Sequence, residues 1–498
     1  MPRKADNAAR LESIAGLAAK ATPGHSYPLD DLRQALFRVV ADESLAERAL
    51  DILASARPGL WLDLDVALRP AWYYRDDPAL RPSTAVRELT NPLAVALVAC
   101  SRDGRQRERA VRHAAMRTDP RLLPVLAVRA TDWADEVRSA ANQALAEVLA
   151  VPSAQVLLTI TPLTVRLGLR QRGSHIAAAI EEAFARASDD TLTAMRGCAD
   201  LHARRLAYRV SLDGCRLAES DLVESALREP DIVCRTWCAE AVARMGRPDL
   251  LEPLLTGRAA QVRATALTAL VNLGHPEYGT RLLTDVSSIV RLTAQWAVRR
   301  CGDDPAEAYR KLLAGRPEHD ARSLMAGLAD CGAGGDAELA RPYLTDRRPR
   351  VRAEAVRTLH RLNASLDFAA MLDDPAPVVV RHVVAALRDA PPPSDRLWAL
   401  LDAAHPRHVR VAAHRLLSHR DTWSRIKAGL ILATDADESL RRRARDDLKT
   451  WRAHDAATAY HTTTEPMRTE LNALITGAEA TLGPQITNEL RWLISSGR

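Results

Sequence analysis

Residues 347–362 read RRPRVRAEAVRTLHRL, six arginines against the single carboxylate of Glu354. A guanidinium presents five N–H donors in a rigid fork. Such a run therefore suits capture of phosphate or carboxylate groups, or satisfaction of turn carbonyls inside a fold. Sulfur and imidazole offer a second chemistry. Cys198 and His202 stand four apart, as do Cys234 and Cys238, and i,i+4 pairs on adjacent helices can build a tetrahedral metal site. Cys234 and Cys238 fall, however, on small-apolar positions of a helical stripe, where cysteine behaves as a small hydrophobe, so no metal site is expected. His405, His408, His414 and His419 lack metalloprotease spacing and read as a polar helix face. CGAGGDAE at 331–338 follows a helix and has no Gly-Lys-Ser/Thr, and APPPSD at 390–395 reads as a stiff connector. No GxSxG, HExxH, kinase or nucleotide fingerprint occurs, so no catalytic residue and no cofactor are expected.

What must position the arginines is a repeat. The phrases VRSAANQAL from Val137, VRATALTALVNLG from Val262, VRLTAQWAVRRCG from Val290 and VRVAAHRLLSH from Val409 echo VRAEAVRTLHRL from Val351. Their arginines mark a series, Arg235, Arg263, Arg291, Arg322, Arg352, Arg381, Arg410 and Arg441, with steps of 28, 28, 31, 30, 29, 29 and 31. Arg112, Arg138 and Arg166 extend it upstream, and between about 170 and 230 Arg196 and Arg205 compete for the register. Small or apolar residues fall one before the marker and three, six or seven, and ten after it, which is one stripe of a 3.6-residue helix. Alanine three after the marker (Ala141, Ala266, Ala294, Ala355, Ala413, Ala444) lets a neighbouring helix approach closely. A shorter apolar segment and a turn rich in Pro, Gly and Asp precede each marker, which predicts helical hairpins. Hairpins this short cannot bury their faces alone and must stack. The expected fold is all-α: a right-handed α-solenoid of about eleven hairpins over residues 105–452, with an aromatic-rich helical cap at 1–104 and capping helices at 453–498.

The unit resembles the HEAT-repeat superfamily, in particular its short, bilin-lyase-type repeats that read D-x-x-x-V-R-x-x-A-x-x-A-L, over about residues 105 to 450. The resemblance implies a ladder in which turn aspartates and marker arginines bond through the stack. Asp346 with Arg352, Asp374 with Arg381 and Asp285 with Arg291 fit the spacing. The ladder should break at Arg263, which follows Ala259 and Ala260, and at Arg410, which has no aspartate in its turn. It also implies that the second helix of each pair lines a concave face, with the residue five after the marker pointing there. That column reads Gln143, Glu240, Thr268, Trp296, Gly327, Arg357, Ala386, Arg415 and Asp446, too mixed for a continuous phosphate track. A local basic patch of Trp296, Arg299, Arg300, Arg357, His360, Arg361, Arg415 and His419 is the candidate binding site.

Six aromatics crowd the N-terminal part: Tyr27, Phe37, Trp61, Trp72, Tyr73 and Tyr74. They suit an end cap, with Trp72, Tyr73, Tyr74 and Arg75 as candidate anchors for a partner. At the other end Trp492 is expected to pack inward. A net charge of +6 spread over 498 residues permits a nucleic-acid partner without requiring one. Seven cysteines without a CxxC pair suit a reduced, cytoplasmic protein, and no stretch is apolar enough to predict a membrane span or signal peptide. The function expected is a non-catalytic scaffold that binds a protein or other acidic partner on its concave face. The alternative is a DNA-binding or DNA-repair protein using the 291–420 patch. It rests on HEAT-like alkylpurine glycosylases, which set tryptophans and one carboxylate on a basic surface, here Trp296 with Glu240 or Asp330; none of their motifs is matched.

Overall fold

The computed structural model describes residues 2–21, 26–69, 83–315, 320–456 and 463–496. Helices joined by turns and short loops make up the described residues, without a strand among them. The predicted stripe faces inward. Val137, Val262, Val290, Val351 and Val409 are buried, and the six alanines three residues after a marker are each 0 % exposed. An alanine there lets the next helix press close, and nothing larger would fit without moving it.

Two compact units divide the chain, Met1–Leu254 and Leu255–Arg498. The division falls inside the repeat array, where the cadence gives no sign of it. In the first unit Gly104–Arg112, Asp135–Leu149, Ser174–Arg186, Leu201–Asp213 and Ile232–Arg244 pack one on the next in chain order. Leu123–Arg129, Ala154–Ile160 and Asp189–Arg196 form a second row beside them. Upstream, Pro2–Lys20 packs on Ser26–Val39 and Glu43–Ser55, and the last of these reaches the array through Pro92–Ala99. In the second unit the succession is Ala260–Asn272, Ser288–Arg300, Ala321–Cys331, Pro349–Arg361, Pro377–Ala386 and Arg407–Arg420. First helices are short here because prolines interrupt them: Pro342 lacks the N–H that would extend Ala337–Ala340, and a 3-10 turn, Arg341–Thr345, takes over. At the end, Thr422–Ala433 holds both Glu438–His454 and Glu465–Leu482, and the latter pairs with Pro484–Ser496.

Arginine does bind layer to layer, with a different partner from the one the spacing suggested. Arg352 donates from Nε and Nη2 to Asp374, both at 2.8 Å, while its Nη1 donates to the carbonyl of Asp346 at 2.9 Å. Arg263 does the same with Asp285, at 2.7 Å twice, and with the carbonyl of Gly257 at 2.7 Å. Each guanidinium therefore seals the turn of its own layer through carbonyls and captures the carboxylate of the following layer. The aspartate is oriented for this because its Oδ1 also accepts the N–H two residues on, as Asp374 does from Ala376 at 2.8 Å.

That geometry relocates the breaks. Arg263 and Arg410 both find carboxylates, Asp285 and Asp435, in the layers after them. The turn after Arg235 has no aspartate, and in the turn after Arg381 Asp402 accepts the Ala404 N–H at 2.8 Å but takes no bond from Arg381. Arg235 reaches only the Pro230 carbonyl at 3.4 Å, and Arg381 is exposed with no hydrogen bond or ion pair among the described residues. Arg291 keeps its own-layer bonds to the carbonyls of Asp285 and Val286 at 2.9 and 3.2 Å. Asp346 spends its carboxylate on Arg348, two residues on, which draws its pKa down to about 2. Lysine has one charge centre and cannot span a carboxylate and two carbonyls. Arg352→Lys should therefore lower the unfolding free energy by about 1 kcal/mol, read from urea midpoints, whereas Arg381→Lys should leave the midpoint unchanged.

At the chain ends, Trp61 is 2 % exposed and serves the core, whereas Trp72, Tyr73, Tyr74 and Arg75 lie outside the described residues. Trp492 does not pack inward: it is 66 % exposed. Ile486, Leu490 and Ile494 take the buried stripe of Pro484–Ser496, and position 492 lies two residues from Leu490, on the opposite side of the turn.

Candidate functional site

All eight patch residues lie in the second unit, on three helices. Ser288–Arg300 carries Trp296, Arg299 and Arg300; Pro349–Arg361 carries Arg357, His360 and Arg361; Arg407–Arg420 carries Arg415 and His419. They differ in what they can still bind. Arg357 donates to Glu354 at 2.7 Å, and Arg361 pairs with Asp330, whose carboxylate also lies 3.8 Å from Arg291. The buried Asp330 side chain thus ties three successive helices together. His360 meets the edge of Phe368, ring centroids 6.2 Å apart. Arg299, Arg300 and Arg415 are exposed and form no hydrogen bond or ion pair among the described residues. Trp296 shows 36 % of its surface.

The column five after the marker is exposed at Gln143, Glu240, Thr268, Trp296, Arg415 and Asp446, as a shared helix face requires. Arg357 and Ala386 are half-buried, and Gly327 alone in the column is fully buried. It is buried because Tyr309, from the additional helix Pro305–Ala314, lies against it.

Beyond the expected patch, two basic recesses appear. Arg322, Arg350, Arg381 and His382 line a small one of about 200 Å³ with Glu354. A larger groove of about 690 Å³ opens between Arg407–Arg420 and Glu438–His454, with Arg425 at its side. There Arg415 and His419 are joined by His414, Arg442 and Arg443, which lie outside the patch expected from the column. The signal was in the sequence: the marker Arg441 opens RRRARDD, a run in which one arginine serves the stack and the next two are left over.

The sulfur pairs are committed elsewhere. The Cys234 thiol donates to Asp231 at 3.3 Å, and Cys198 donates to the carbonyl of Asp200 at 3.4 Å. Burial pushes Cys238 up to about 12, so it is held as a neutral thiol in the core. Of the four histidines between 405 and 419, His408 bonds the carbonyl of Asp374 at 3.0 Å and His405 lies 3.7 Å from Asp373. His414 is buried and His419 exposed.

No helix among the described residues is long and apolar enough to cross a membrane. No protein-family pattern and no curated protein sequence matches the chain. Among solved structures, Kap121p is similar at 12 % identity and a TM-score of 0.28, over 100 % of this chain and 59 % of that one. The karyopherin Kap121p bound to the SUMO protease Ulp1p gives 13 % identity and 0.26, over 98 % and 55 %. A homology model of the AP-3 complex gives 10 % and 0.27, over 98 % and 90 %. The chain thus spans a little over half the length of the Kap121p chains. Likeness this faint adds nothing to the fold, which rests on the stacked hairpins described above.

Proposed function

We propose that the chain is a non-catalytic scaffold in which repeats of the HEAT-like kind hold an acidic protein segment against the second helices of Leu255–Arg498. The observation that carries this reading is the division of labour among the arginines. Those that join layers are sealed against carboxylates and carbonyls, whereas Arg299, Arg300 and Arg415 stand exposed and unpaired. Free guanidiniums on a helical face are suited to forked recognition of carboxylates, and an exposed tryptophan among them offers apolar contact at low entropic cost. The glycosylase reading needs a carboxylate free to face a developing cation. Asp330 is already engaged by Arg361 and Arg291.

A fluorescent twenty-residue peptide rich in glutamate should bind saturably to the intact protein. Its Kd should rise at least tenfold in the Arg299→Glu, Arg300→Glu, Arg415→Glu triple variant with unchanged circular dichroism. A twenty-base-pair duplex should bind more weakly than the peptide at 150 mM salt. Tighter duplex binding, falling steeply with salt, would instead place the protein among DNA-binding proteins. Release of free base from alkylated DNA would end the non-catalytic reading.

A further inference from the structure

The groove between Arg407–Arg420 and Glu438–His454 has an electrostatic imbalance that the stacking of the helices does not explain. These helices pack through Thr422–Ala433 rather than closely on each other, which leaves the space open. Four guanidiniums line it, Arg415, Arg425, Arg442 and Arg443, against two carboxylates, Asp446 and Asp447; with neutral histidines that is four minus two, or +2. Arg425 is spoken for: it donates to Asp447 at 3.0 and 2.8 Å and to Asp455 at 2.9 Å. Arg415, Arg442 and Arg443 have no hydrogen bond or ion pair among the described residues. Burial and the neighbouring Arg415 charge hold the Arg443 pKa below the usual guanidinium range. Like charges brought together and only partly offset, here by Asp447, cost stability, and a perturbed cluster of this kind in a groove is a candidate site.

A second observation points into the same space. His414 is 3 % exposed and lines the groove, yet its Nε2 is buried without a hydrogen-bond partner, 3.8 Å from the nearest Asp447 oxygen. A buried ring nitrogen left unsatisfied needs an explanation, and a ligand oxygen supplies one when the ring turns toward the groove it lines. The charge to be met is about −2 at a single place, and Asp446 is exposed beside it. A phosphodiester carries one charge per link and calls for a track of cations, which the mixed column lacks. A phosphate monoester carries about −1.5 to −2 with three acceptor oxygens.

We propose that this groove binds a phosphate monoester carried on a protein partner, a phosphoserine or phosphothreonine held by Arg415, Arg442 and Arg443 with His414 beneath. This deepens the scaffold reading, on which it rests for the carrier of the phosphate. The test uses the full chain and two ligands. Sodium phosphate, titrated against sodium chloride at matched ionic strength, should shift the His414 ring Cε1–H resonance saturably; the signal is assigned by its loss in His414→Gln. Acetyl-Gly-Gly-phosphoserine-Gly-Gly-amide should bind at least tenfold tighter than its unphosphorylated twin. That preference should vanish in Arg415→Gln with Arg443→Gln and persist in Arg299→Gln. Absence of a saturable shift, or equal affinity for the two peptides, overturns the proposal, as does tighter binding of a five-nucleotide oligothymidylate than of the phosphopeptide. If the Glu-rich peptide still binds the wild type when the phosphate arms fail, the site is wrong and the scaffold stands; if neither peptide binds, both fall.

Discussion

Asp132→Ala should lower the unfolding free energy by about 3–5 kcal/mol, the loss expected when one member of a buried ion cluster is removed and its partners stay behind. Asp132 and Arg107 have side chains that are 0 % exposed. Arg107 donates from Nε at 3.0 Å and Nη2 at 2.8 Å to Asp132, and from Nη1 to the carbonyls of Ser101 and Arg102. Arg129, also 0 % exposed, lies 3.0 Å from Asp132 and pairs with Asp65. Beyond Asp65 it has no further carboxylate to turn to, so the charge lost with Asp132 is not replaced. Alanine would leave Arg129 with Asp65 alone and Arg107 with no carboxylate, only the Ser101 and Arg102 carbonyls. An asparagine side chain keeps an oxygen for the Ala134 N–H, which now donates to Asp132 Oδ1 at 3.0 Å, so Asp132→Asn should cost less than alanine. Urea unfolding of the three proteins at pH 7 checks the order. Burial pushes the Asp132 pKa up, but the Arg107 bonds and the Arg129 charge outweigh it and hold the carboxyl below its ordinary range. A depressed folded pKa means the contribution is complete above about pH 4, the unfolded value, and lost as pH falls through the folded one. The gap between wild type and Asp132→Ala should accordingly close on acidification below about pH 4.

This cluster also shows what the sequence could and could not tell. The cadence predicts helical hairpins because burial imposes a 3.6-residue period, and that period is written in residue types: Val137, Ala141, Val290 and Ala294 are all inside. Counting back at about thirty residues per step lands on Arg112, which is a surface residue bonded to Glu108 at 2.9 Å. The layer-joining arginine is Arg107, and the clue was local: Ala110 follows it by three, as alanine follows the other markers. Likewise Arg310 rather than Arg322 takes the joining role in its layer, bonding Asp336 at 2.7 and 3.2 Å, and Arg204 and Arg205 divide between them what one marker does elsewhere. Periodicity fixes which face is apolar, but not which layer's carboxylate a long, flexible cation will reach. The same limit applies to the basic patch. Residue types alone do not separate Arg361, spent on Asp330, from Arg299, which is free. The groove beside Arg443 exists because two helices pack through a third rather than on each other, a property of backbone placement that no motif records.

Gly327→Ala should be the second severe change, although it adds a single methyl at a position the repeat pattern assigns to an open face. A Cβ at residue 327 would press against Cζ, Cε1 and the hydroxyl oxygen of Tyr309, far closer than non-bonded atoms can approach. That ring is 0 % exposed and cannot swing away freely, because its hydroxyl donates to the carbonyl of Leu283 at 2.9 Å and accepts from Gln295 Nε2 at 3.3 Å. Gln295 in turn donates to the carbonyl of Gly327 at 3.3 Å, so displacing the ring strains a buried polar network along with the packing. Overpacking a tight core costs about 1–3 kcal/mol, and a rigid, anchored aromatic puts this case at the upper end. Tyr309→Leu alone should also destabilise, since it leaves the Leu283 carbonyl and the Gln295 amide short of a partner. In the double variant the added methyl enters space the ring has vacated, so the two penalties should sum to less than their separate values by about 1–2 kcal/mol, within the range of neighbouring-residue coupling. A thermodynamic cycle over the four proteins measures this directly. Strict additivity would mean that Gly327 is small for the sake of its backbone rather than its neighbour, and that the helix Pro305–Ala314 does not depend on it for its seat.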